Sequence, residues 1–445
     1  MLLKCCEDFN YFSPDSSLQR LMVRKPMRVY LIYGSGGGGH KASANALMDV
    51  LLQRNPDWDI RTINISPAVG AEGGDKLYNL CMEKNWSLII PLLHKAATFF
   101  SPFVQPLIKK RMRDMWSSMP EADVIISLVP FLNPSIIETQ PGAIHFTLIT
   151  DFTHTEGHPW IQDHRQHILC GTEECYEQGK CIWNLMYLRW NILILKLLSQ
   201  IYMRVGLQLG LPVEKVTRTS GMVISPRFYQ SLDRAELKEI SMQLDFRVNS
   251  ITSLVFFGGV PPTYATRRLV VALLRKGHNV IVICGNNEGL LQDLCKLKLK
   301  YPELCLYLKN FTRDVSTYMQ LSDVVVGKPG PGAISEALVS RRPVIMLAEG
   351  GKVMDQERSV MQWVEANNLG VSATRAQEAA EVSKERIMDM QRAVDALPEN
   401  RAVFEVAEIV ETAAKNRLRE KIRTEKLAHE VEIDLDLRDN NALLT

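Results

Sequence analysis

The sequence has almost no net charge and no paired cysteine motif, and both absences narrow the classes of protein it can belong to. Its 52 basic and 50 acidic side chains give a formal charge of +2, so the overall charge indicates neither a nucleic acid nor any other charged partner. The nine cysteines form no CxxC array, so a structural zinc site is not expected. Several of them lie inside apolar runs, as in proteins of a reducing compartment, and we predict an intracellular protein.

The sequence also lacks a long apolar run that is free of polar side chains. Residues 1–26 contain acids and Pro14, so we predict an N-terminal tail there and not a secretory signal or a transit peptide. Residues 181–204 are long enough to cross a bilayer, but polar side chains such as Arg189 and Lys196 interrupt them. A buried or interfacial helix is therefore favoured over a membrane span.

Residues 180–206 also interrupt the pattern around them. Joining Gly179 to Leu207 would give a continuous surface-helix sequence. We therefore interpret the segment as an insert, either specific to a lineage or derived from a retained intron. A retained intron would disrupt the fold.

What the chain does have is a repeated alternation of strand-like and helix-like runs. In the first half, short apolar runs typical of buried strands occur at 27–34, 59–65, 124–129 and 144–150. In the second half the predicted strands are 251–257, 279–283, 304–308, 323–326 and 343–347, and the predicted helices are 263–276, 287–300, 313–321, 332–340 and 355–367. This alternation is typical of an α/β fold with mostly parallel sheets.

At 445 residues the chain is long enough for two or three domains. We predict two Rossmann-like domains with parallel sheets that face an interdomain cleft. The predicted ranges are a first domain at 27–225, a linker at 226–250, a second domain at 251–414, and a charged, solvated helix and tail at 415–445.

The first motif with chemical content is the glycine-rich loop 34–39, which lies between a strand and a helix and is followed by His40. It matches GxGxxG, but a dinucleotide site also needs an acid at the end of the second strand, and Asp57 and Asp59 lie at its start. An NAD-dependent oxidoreductase is therefore disfavoured. A histidine at this edge of the sheet can accept a proton from a hydroxyl at neutral pH, whereas the competing interpretation is a loop histidine without chemistry.

The second motif is the loop 327–333, which follows a predicted strand and opens a helix. Glycines allow close approach of a phosphate, and the first N–H groups of the helix favour an anion. Glu336 follows in the same helix. A carboxylate there would repel phosphates, so a ribose contact competes with a purely structural capping role.

Two further motifs are weak when taken alone. Asp355 and Gln356 follow the last predicted strand of the second half, and their side chains suit sugar hydroxyls. Phe311 and Thr312 follow the third strand of that half, where an aromatic ring suits a flat base.

In this order the four motifs resemble glycosyltransferase family 28, which includes monogalactosyldiacylglycerol synthases, bacterial diacylglycerol glucosyltransferases and the lipid II N-acetylglucosaminyltransferase. The similarity runs from about Met27 to Gly370, apart from the insert. GGGGHKASANAL is similar to the glycine-histidine loop of the synthases, TDF with GHPW (150–160) to a second segment, and the run from Phe311 to Leu338 to the donor-binding segment.

The resemblance implies a GT-B fold, a UDP-sugar as substrate, an inverting transfer, and neither a cofactor nor a catalytic metal. It implies that His40 is the base or orients the acceptor, with Asp151 as the second candidate. The implied acceptor-side residues are Gly37, Gly38, Gly39, His158 and Trp160. The implied donor-side residues are Gly259, Phe311, Thr312, Lys328, Gly330, Pro331, Gly332, Ala333, Glu336, Asp355 and Gln356.

The sugar and the acceptor stay open at this point. Where plant-type synthases carry GQE, this chain has VMDQERS, so both galactose and glucose are candidates. Residues 94–116 mix aromatic, apolar and basic side chains, which suits docking on an anionic membrane surface and a diacylglycerol acceptor, although a helix packed on the sheet has the same composition. A soluble acceptor and a non-catalytic UDP-sugar-binding protein are the alternatives.

Overall fold

The structure is a computed structural model, and it describes residues 26–35, 38–74, 104–153, 159–181, 213–244, 246–351 and 353–442. Nearly all of the predicted N-terminal tail and of the predicted insert therefore lies outside the described residues. The same is true of Gly37 and His158, whose predicted roles stay predictions.

The first half contains a parallel sheet of six strands. Its strands are β1 (Arg28–Tyr33), β2 (Asp59–Asn64), β3 (Val124–Leu128), β4 (Ile144–Leu148), β5 (His167–Cys170) and β6 (Val216–Arg218). Its helices are α1 (Gly39–Arg54), α2 (Ser66–Val69), α3 (104–117), α4 (Asn133–Thr139) and α5 (Glu173–Cys181). The strand order is β2-β1-β3-β4-β5-β6, the doubly wound pattern of a Rossmann-like domain.

The second half repeats this architecture with a sheet of order β12-β11-β10-β7-β8-β9. Its strands are β7 (Thr252–Phe256), β8 (Asn279–Ile283), β9 (Leu306–Lys309), β10 (Val324–Gly327), β11 (Val344–Leu347) and β12 (Gly370–Ala373). The helices from Arg234 onward are α6 (Arg234–Gln243), α7 (Thr263–Arg275), α8 (Glu288–Lys300), α9 (Val315–Gln320), α10 (Pro331–Val339), α11 (Asp355–Ala366), α12 (Ala376–Ala380), α13 (Lys384–Asp395) and α14 (Ala402–Ala442). Two such sheets confirm the predicted fold class.

The long C-terminal helix corrects the predicted end of the second domain. We predicted that this domain runs to residue 414 and that a separate solvated helix begins at 415. Instead, α14 is one helix from Ala402, and its small apolar residues pack in the core of the first sheet, against α1. The buried residues recur at spacings of three and four, namely Ala402, Val403, Val406, Ala407, Val410 and Ala414. Glu411, on the same helix, is buried and paired with Arg54 of α1 (2.6 Å).

The helix α3 corrects part of the interfacial interpretation of residues 94–116. Met112 and Trp116 point into the protein, where Trp116 stacks on Tyr30 and its indole N–H donates to Thr139 Oγ1 (3.1 Å). Both are therefore core residues and not lipid contacts. The outer face of α3 exposes Leu107 beside Lys110, together with Val104, Arg111 and Arg113.

The two halves meet at a contact immediately after Asp151. The Phe152 ring lies 5.4 Å from the Trp363 ring of α11, and Ser359 of the same helix donates to the Thr153 carbonyl (3.4 Å). Between residues 213 and 442 the chain passes from one half to the other and later returns. Asn400 on the returning segment donates to the carbonyl of Met222 on the outgoing segment (3.0 Å). Within the described ranges, no helix has the length and apolar character needed to cross a membrane.

Candidate active site

The glycine-rich loop after β1 is anchored by uncharged groups. The Ser35 N–H donates to Ser66 Oγ (3.0 Å), and Asn64, the last residue of β2, donates to Ser35 Oγ (2.8 Å). A dinucleotide site would place an acid at the end of this strand, so the neutral Asn64 disfavours NAD further. A Cβ atom on Gly38 or Gly39 would meet no atom within 4 Å, so both glycines border open space at the start of α1.

His40, Trp160 and Asp151 come together although they lie far apart in the sequence. The His40 ring lies edge-on to the Trp160 ring, with 5.4 Å between the centroids. The indole N–H of Trp160 donates to Asp151 Oδ2 (2.9 Å). Trp160 and Asp151 are buried, whereas His40 is half-buried at the first turn of α1. Among the three, His40 is therefore the most accessible to an acceptor.

A buried polar network positions Trp160. Its carbonyl accepts hydrogen bonds from Asn133 Nδ2 (2.9 Å) and Gln166 Nε2 (2.8 Å). Gln166 also donates to Thr147 Oγ1 (2.6 Å), and its own oxygen accepts two backbone N–H groups. Our sequence analysis missed these residues, because an isolated asparagine, threonine or glutamine carries no pattern that marks it as buried.

The thiol of Cys175 lies close to Asp151 of this cluster. Cys170 and Cys175 are both buried. The pKa of Cys175 is raised, first by its hydrogen bond with Cys170 and then by burial, and the nearby Asp151 carboxylate adds to the effect. Cys175 therefore stays a thiol at neutral pH, and a thiol is a poor nucleophile.

Strand β10 requires glycine at its last position, just before the loop. A Cβ on Gly327 would lie 1.8 Å from the Phe256 carbonyl oxygen, so β10 and β7 come too close for any side chain there. Helix α10 then begins at Pro331, which has no N–H, and the N–H of Ile334 bonds to the Gly330 carbonyl (3.0 Å). Gly332 and Ala333 therefore supply the helix-end N–H groups that are free for an anion. The Gly332 Cα borders open space, and Lys328 lies in the same loop.

Glu336 is half-buried in α10, one turn beyond this anion position. Removal of the carboxyl from water raises its pKa to about 8. At neutral pH the group is therefore mostly uncharged and can both donate and accept a hydrogen bond. A neutral carboxyl would not repel a diphosphate, and that repulsion was the objection to a functional role for Glu336 in the sequence.

The Asp-Gln-Glu motif has divided roles at the start of α11. Glu357 is buried, and its carboxylate accepts the Met354 N–H (3.2 Å), so it caps the helix. Gln356 is half-buried in the first turn, and its predicted contact with the sugar stays a prediction. The side chain of Asp355 lies outside the described residues, and its predicted contact with the sugar stays a prediction.

The remaining donor-side residues lie on the loops after β7 and β9. Phe311 is 57% exposed, and Thr312 Oγ1 accepts the Asp314 N–H (3.0 Å), which holds the turn that presents the ring. A Cβ on Gly259 would meet no atom within 4 Å, and its carbonyl accepts the Asn286 N–H (2.9 Å). Both loops follow the carboxyl ends of their strands, where ligands of open α/β sheets bind.

The described residues also bear on whether the protein binds a metal ion. Across the described ranges, no group of three or more His, Cys, Asp or Glu side chains is arranged to hold a metal ion. The expectation of a metal-independent reaction stays a prediction.

Comparison with known proteins supports the assignment made from the motifs. No family model matches the sequence. Monogalactosyldiacylglycerol synthase 3 of Arabidopsis thaliana is 22% identical over 436 residues, which cover 90% of this chain and 84% of the relative. A probable monogalactosyldiacylglycerol synthase 2 of Oryza sativa is 25% identical over 380 residues, which cover 79% of this chain and 72% of the relative.

Among solved structures, MurG of Acinetobacter baumannii has a TM-score of 0.50 at 11% identity, and the match covers 87% of this chain and 100% of MurG. At that identity the likeness concerns the fold alone, and it agrees with the two parallel six-stranded sheets. The curated relatives confirm the resemblance to glycosyltransferase family 28.

Proposed function

We propose that this chain, a hexosyltransferase of the GT-B fold, transfers galactose or glucose from a UDP-sugar to the hydroxyl group of a diacylglycerol, with inversion at the sugar carbon. One observation carries the proposal. The contact between Phe152 and Trp363 joins the segment after Asp151 to the helix whose first turn carries Gln356. Ser359, which donates to Thr153, also donates to the Gln356 carbonyl (2.8 Å), so Asp151, the second candidate base, and the candidate sugar contact lie on segments that touch.

The chemistry follows from the groups on the two sides of this contact. His40 takes the proton of the acceptor hydroxyl, or Asp151 does so, and the oxygen attacks C1 of the sugar from the face opposite UDP. The bond from C1 to the diphosphate breaks, and the electron pair leaves with UDP. The N–H groups of Gly332 and Ala333 and the dipole of α10 stabilise the charge that develops on the diphosphate.

The same geometry suggests how the nucleoside is held. Phe311 offers an exposed ring for the base, and the neutral carboxyl of Glu336 is suited to the ribose hydroxyls. Closure of the cleft around the donor would exclude water, which otherwise competes with the acceptor.

A lipid acceptor is supported by two observations. The relatives that match most of this chain are named as monogalactosyldiacylglycerol synthases. In addition, the outer face of α3 exposes Val104 and Leu107 beside Lys110 and Arg113, a combination suited to the interface of an anionic bilayer. We therefore propose that the protein works as a peripheral membrane protein inside the cell and takes its acceptor from the bilayer surface.

The test uses purified full-length protein with carbon-14-labelled UDP-galactose or UDP-glucose on vesicles of diacylglycerol and anionic phospholipid. We expect labelled product in the organic phase with one donor or both, and less product on vesicles without anionic lipid. Release of free labelled sugar without a lipid product would support a soluble acceptor instead. Binding of both donors without consumption of either would favour a non-catalytic UDP-sugar-binding protein.

A further inference from the structure

An ion pair links α7 to the turn that follows β11. Arg268 Nη1 lies 3.2 Å from Glu349 Oε1, and the Arg268 guanidinium also lies over the Tyr264 ring, 5.4 Å from its centroid. The side chains of Arg268 and Glu349 are 39% and 21% exposed, so the pair lies at the surface but not fully in water. The pair ties the first residue of the turn to a neighbouring helix.

Two residues of the turn Glu349–Gly351 have left-handed backbone conformations. Gly350 has φ +67° and Gly351 has φ +71°, a region that glycine adopts readily. The turn is also held by the Gly350 N–H, which donates to the Thr374 carbonyl (3.0 Å), and by the Gly351 N–H, which donates to the Ala348 carbonyl (2.8 Å). Arg268 supplies the side-chain tether next to these backbone bonds.

The chain that leaves this turn runs to the candidate sugar contact. Met354 is buried and precedes α11, and Gln356 lies in the first turn of that helix. The position of the Gln356 side chain therefore depends on where the turn delivers the start of α11. Displacement of a polar group by a fraction of an ångström is enough to spoil a hydrogen bond to a substrate hydroxyl.

We infer that Arg268 is a positioning residue for the sugar of the donor, and that it acts through Glu349 and the glycine turn on Gln356. The inference rests on the proposed function. Arg268 itself is not a catalytic residue, because its guanidinium is engaged by Glu349 and Tyr264.

The effect should fall on the sugar and not on UDP. The candidate contacts to UDP come from other elements, namely Phe311 after β9 and Gly332 and Glu336 in α10. Galactose and glucose differ in the orientation of one hydroxyl group, and discrimination between them depends on well-placed hydrogen-bonding groups. Loss of the Arg268 tether is therefore expected to weaken UDP-sugar binding and to reduce the preference between the two sugars.

Arg267 provides a matched control on the same helix. Its Nε lies 2.8 Å from Asp293 of α8, so it also makes a partly exposed ion pair, but with a helix and not with the turn. Exposed pairs of this kind contribute little to stability, so neither substitution should unfold the protein. Arg267→Gln and Arg268→Gln therefore each remove one positive charge and one partly exposed ion pair, and Arg268→Gln also removes the contact with Tyr264.

The experiment measures the dissociation constants of UDP, UDP-galactose and UDP-glucose by calorimetry for the wild type, Arg268→Gln and Arg267→Gln, together with transfer from each donor. For Arg268→Gln we expect UDP affinity within about twofold of the wild type. We expect the affinity for the preferred UDP-sugar to fall about tenfold, the scale of one lost charged hydrogen bond. Arg267→Gln should match the wild type for all three ligands.

A charge exchange distinguishes positioning from simple loss of structure. The double variant Arg268→Glu with Glu349→Arg should recover most of the UDP-sugar affinity that each single change removes. If Arg268→Gln binds both UDP-sugars as Arg267→Gln does while the wild type is active, the inference is wrong and the proposed function stands. If the wild type neither binds nor consumes a UDP-sugar, the proposed function is wrong, and the inference, which depends on it, is wrong as well.

Discussion

At the scale of single residues, His40 has the geometry expected of a base. It is half-buried, it lies in the first turn of a helix beside open glycines, and its ring packs against the indole of Trp160. Asp151 is the alternative, but it is buried and already accepts the Trp160 N–H. The two candidates therefore differ in accessibility, and substitution separates them.

His40→Ala should lower kcat for transfer by about 10²–10⁴-fold, the usual contribution of a general base. UDP affinity should not change, since the candidate donor contacts lie on the second half. Steady-state kinetics and UDP calorimetry on the same preparation measure both quantities. Turnover close to that of the wild type would instead assign the base role to Asp151, whose Asp151→Asn variant should then be the inactive one.

From the raised pKa of Glu336 we predict that the stability of the protein depends on pH. Its carboxyl has a pKa of about 8 in the folded protein against an ordinary value of 4.5, so the folded state holds the proton more tightly than the unfolded state. The contribution of this group to stability is therefore fully present below about pH 4.5 and is lost as the pH rises towards about 8.

The Glu336→Gln variant keeps the shape of the side chain and cannot ionise. Between pH 5 and pH 8 its melting temperature should fall less than that of the wild type, and it should melt higher than the wild type at pH 8. Melting curves across this pH range provide the measurement. Parallel curves for the two proteins would show that Glu336 is already ionised in the folded state.

At the scale of elements, the sequence pattern predicted most of the strands but missed β5, β6 and β12. β3 is buried along its whole length and was predicted, whereas β6 has three residues and only one of them is buried. β12 begins with Gly370 and contains a serine, so it has no strand-like pattern. These strands form because neighbouring strands supply hydrogen bonds and cover, which local sequence does not contain.

The position of helix α14 also could not be predicted from local sequence. Its apolar stripe is visible in the sequence, but small residues such as Ala407 do not show which sheet they pack on.

The candidate site was likewise predictable only in part. The glycine loops and His40 were predictable from local order, whereas the protonated state of Glu336 and the support of Trp160 by Gln166 depend on burial and tertiary contacts.

Packing of α14 on the first half predicts that a change near the C-terminus destabilises the N-terminal sheet. Val406 is fully buried there, and Val406→Ala should reduce the free energy of unfolding by about 2 kcal/mol through lost contacts and a cavity. Hydrogen exchange in β1 should become faster. Glu408→Ala, an exposed change on the same helix, is the control and should have little effect, and equal effects of the two changes would contradict this packing.

At the scale of the whole molecule, the proposed acceptor makes membrane binding a property of one face. Lys110 and Arg113 are exposed on α3, and Lys110→Glu with Arg113→Glu should weaken binding to anionic vesicles about tenfold or more, because each basic residue near the surface contributes about 1 kcal/mol. Vesicle sedimentation at fixed ionic strength measures the binding.

The matched control places the same charge change on the second half. Arg275→Glu with Lys296→Glu replaces two exposed basic residues on α7 and α8. This variant should keep nearly all of its vesicle binding. An equal loss in both double variants would mean that only the net charge matters and that α3 is not the docking face.

In this mechanism, groups from both halves act together in an inverting transfer to a lipid. The anomeric configuration of the product, determined by NMR after extraction of a reaction that contains UDP-sugar and diacylglycerol vesicles, decides whether they do. Because UDP-galactose and UDP-glucose carry the sugar in the α configuration, we expect a β-linked glycosyldiacylglycerol that His40→Ala fails to produce. An α-linked product, or free sugar without any glycolipid, would rule this mechanism out.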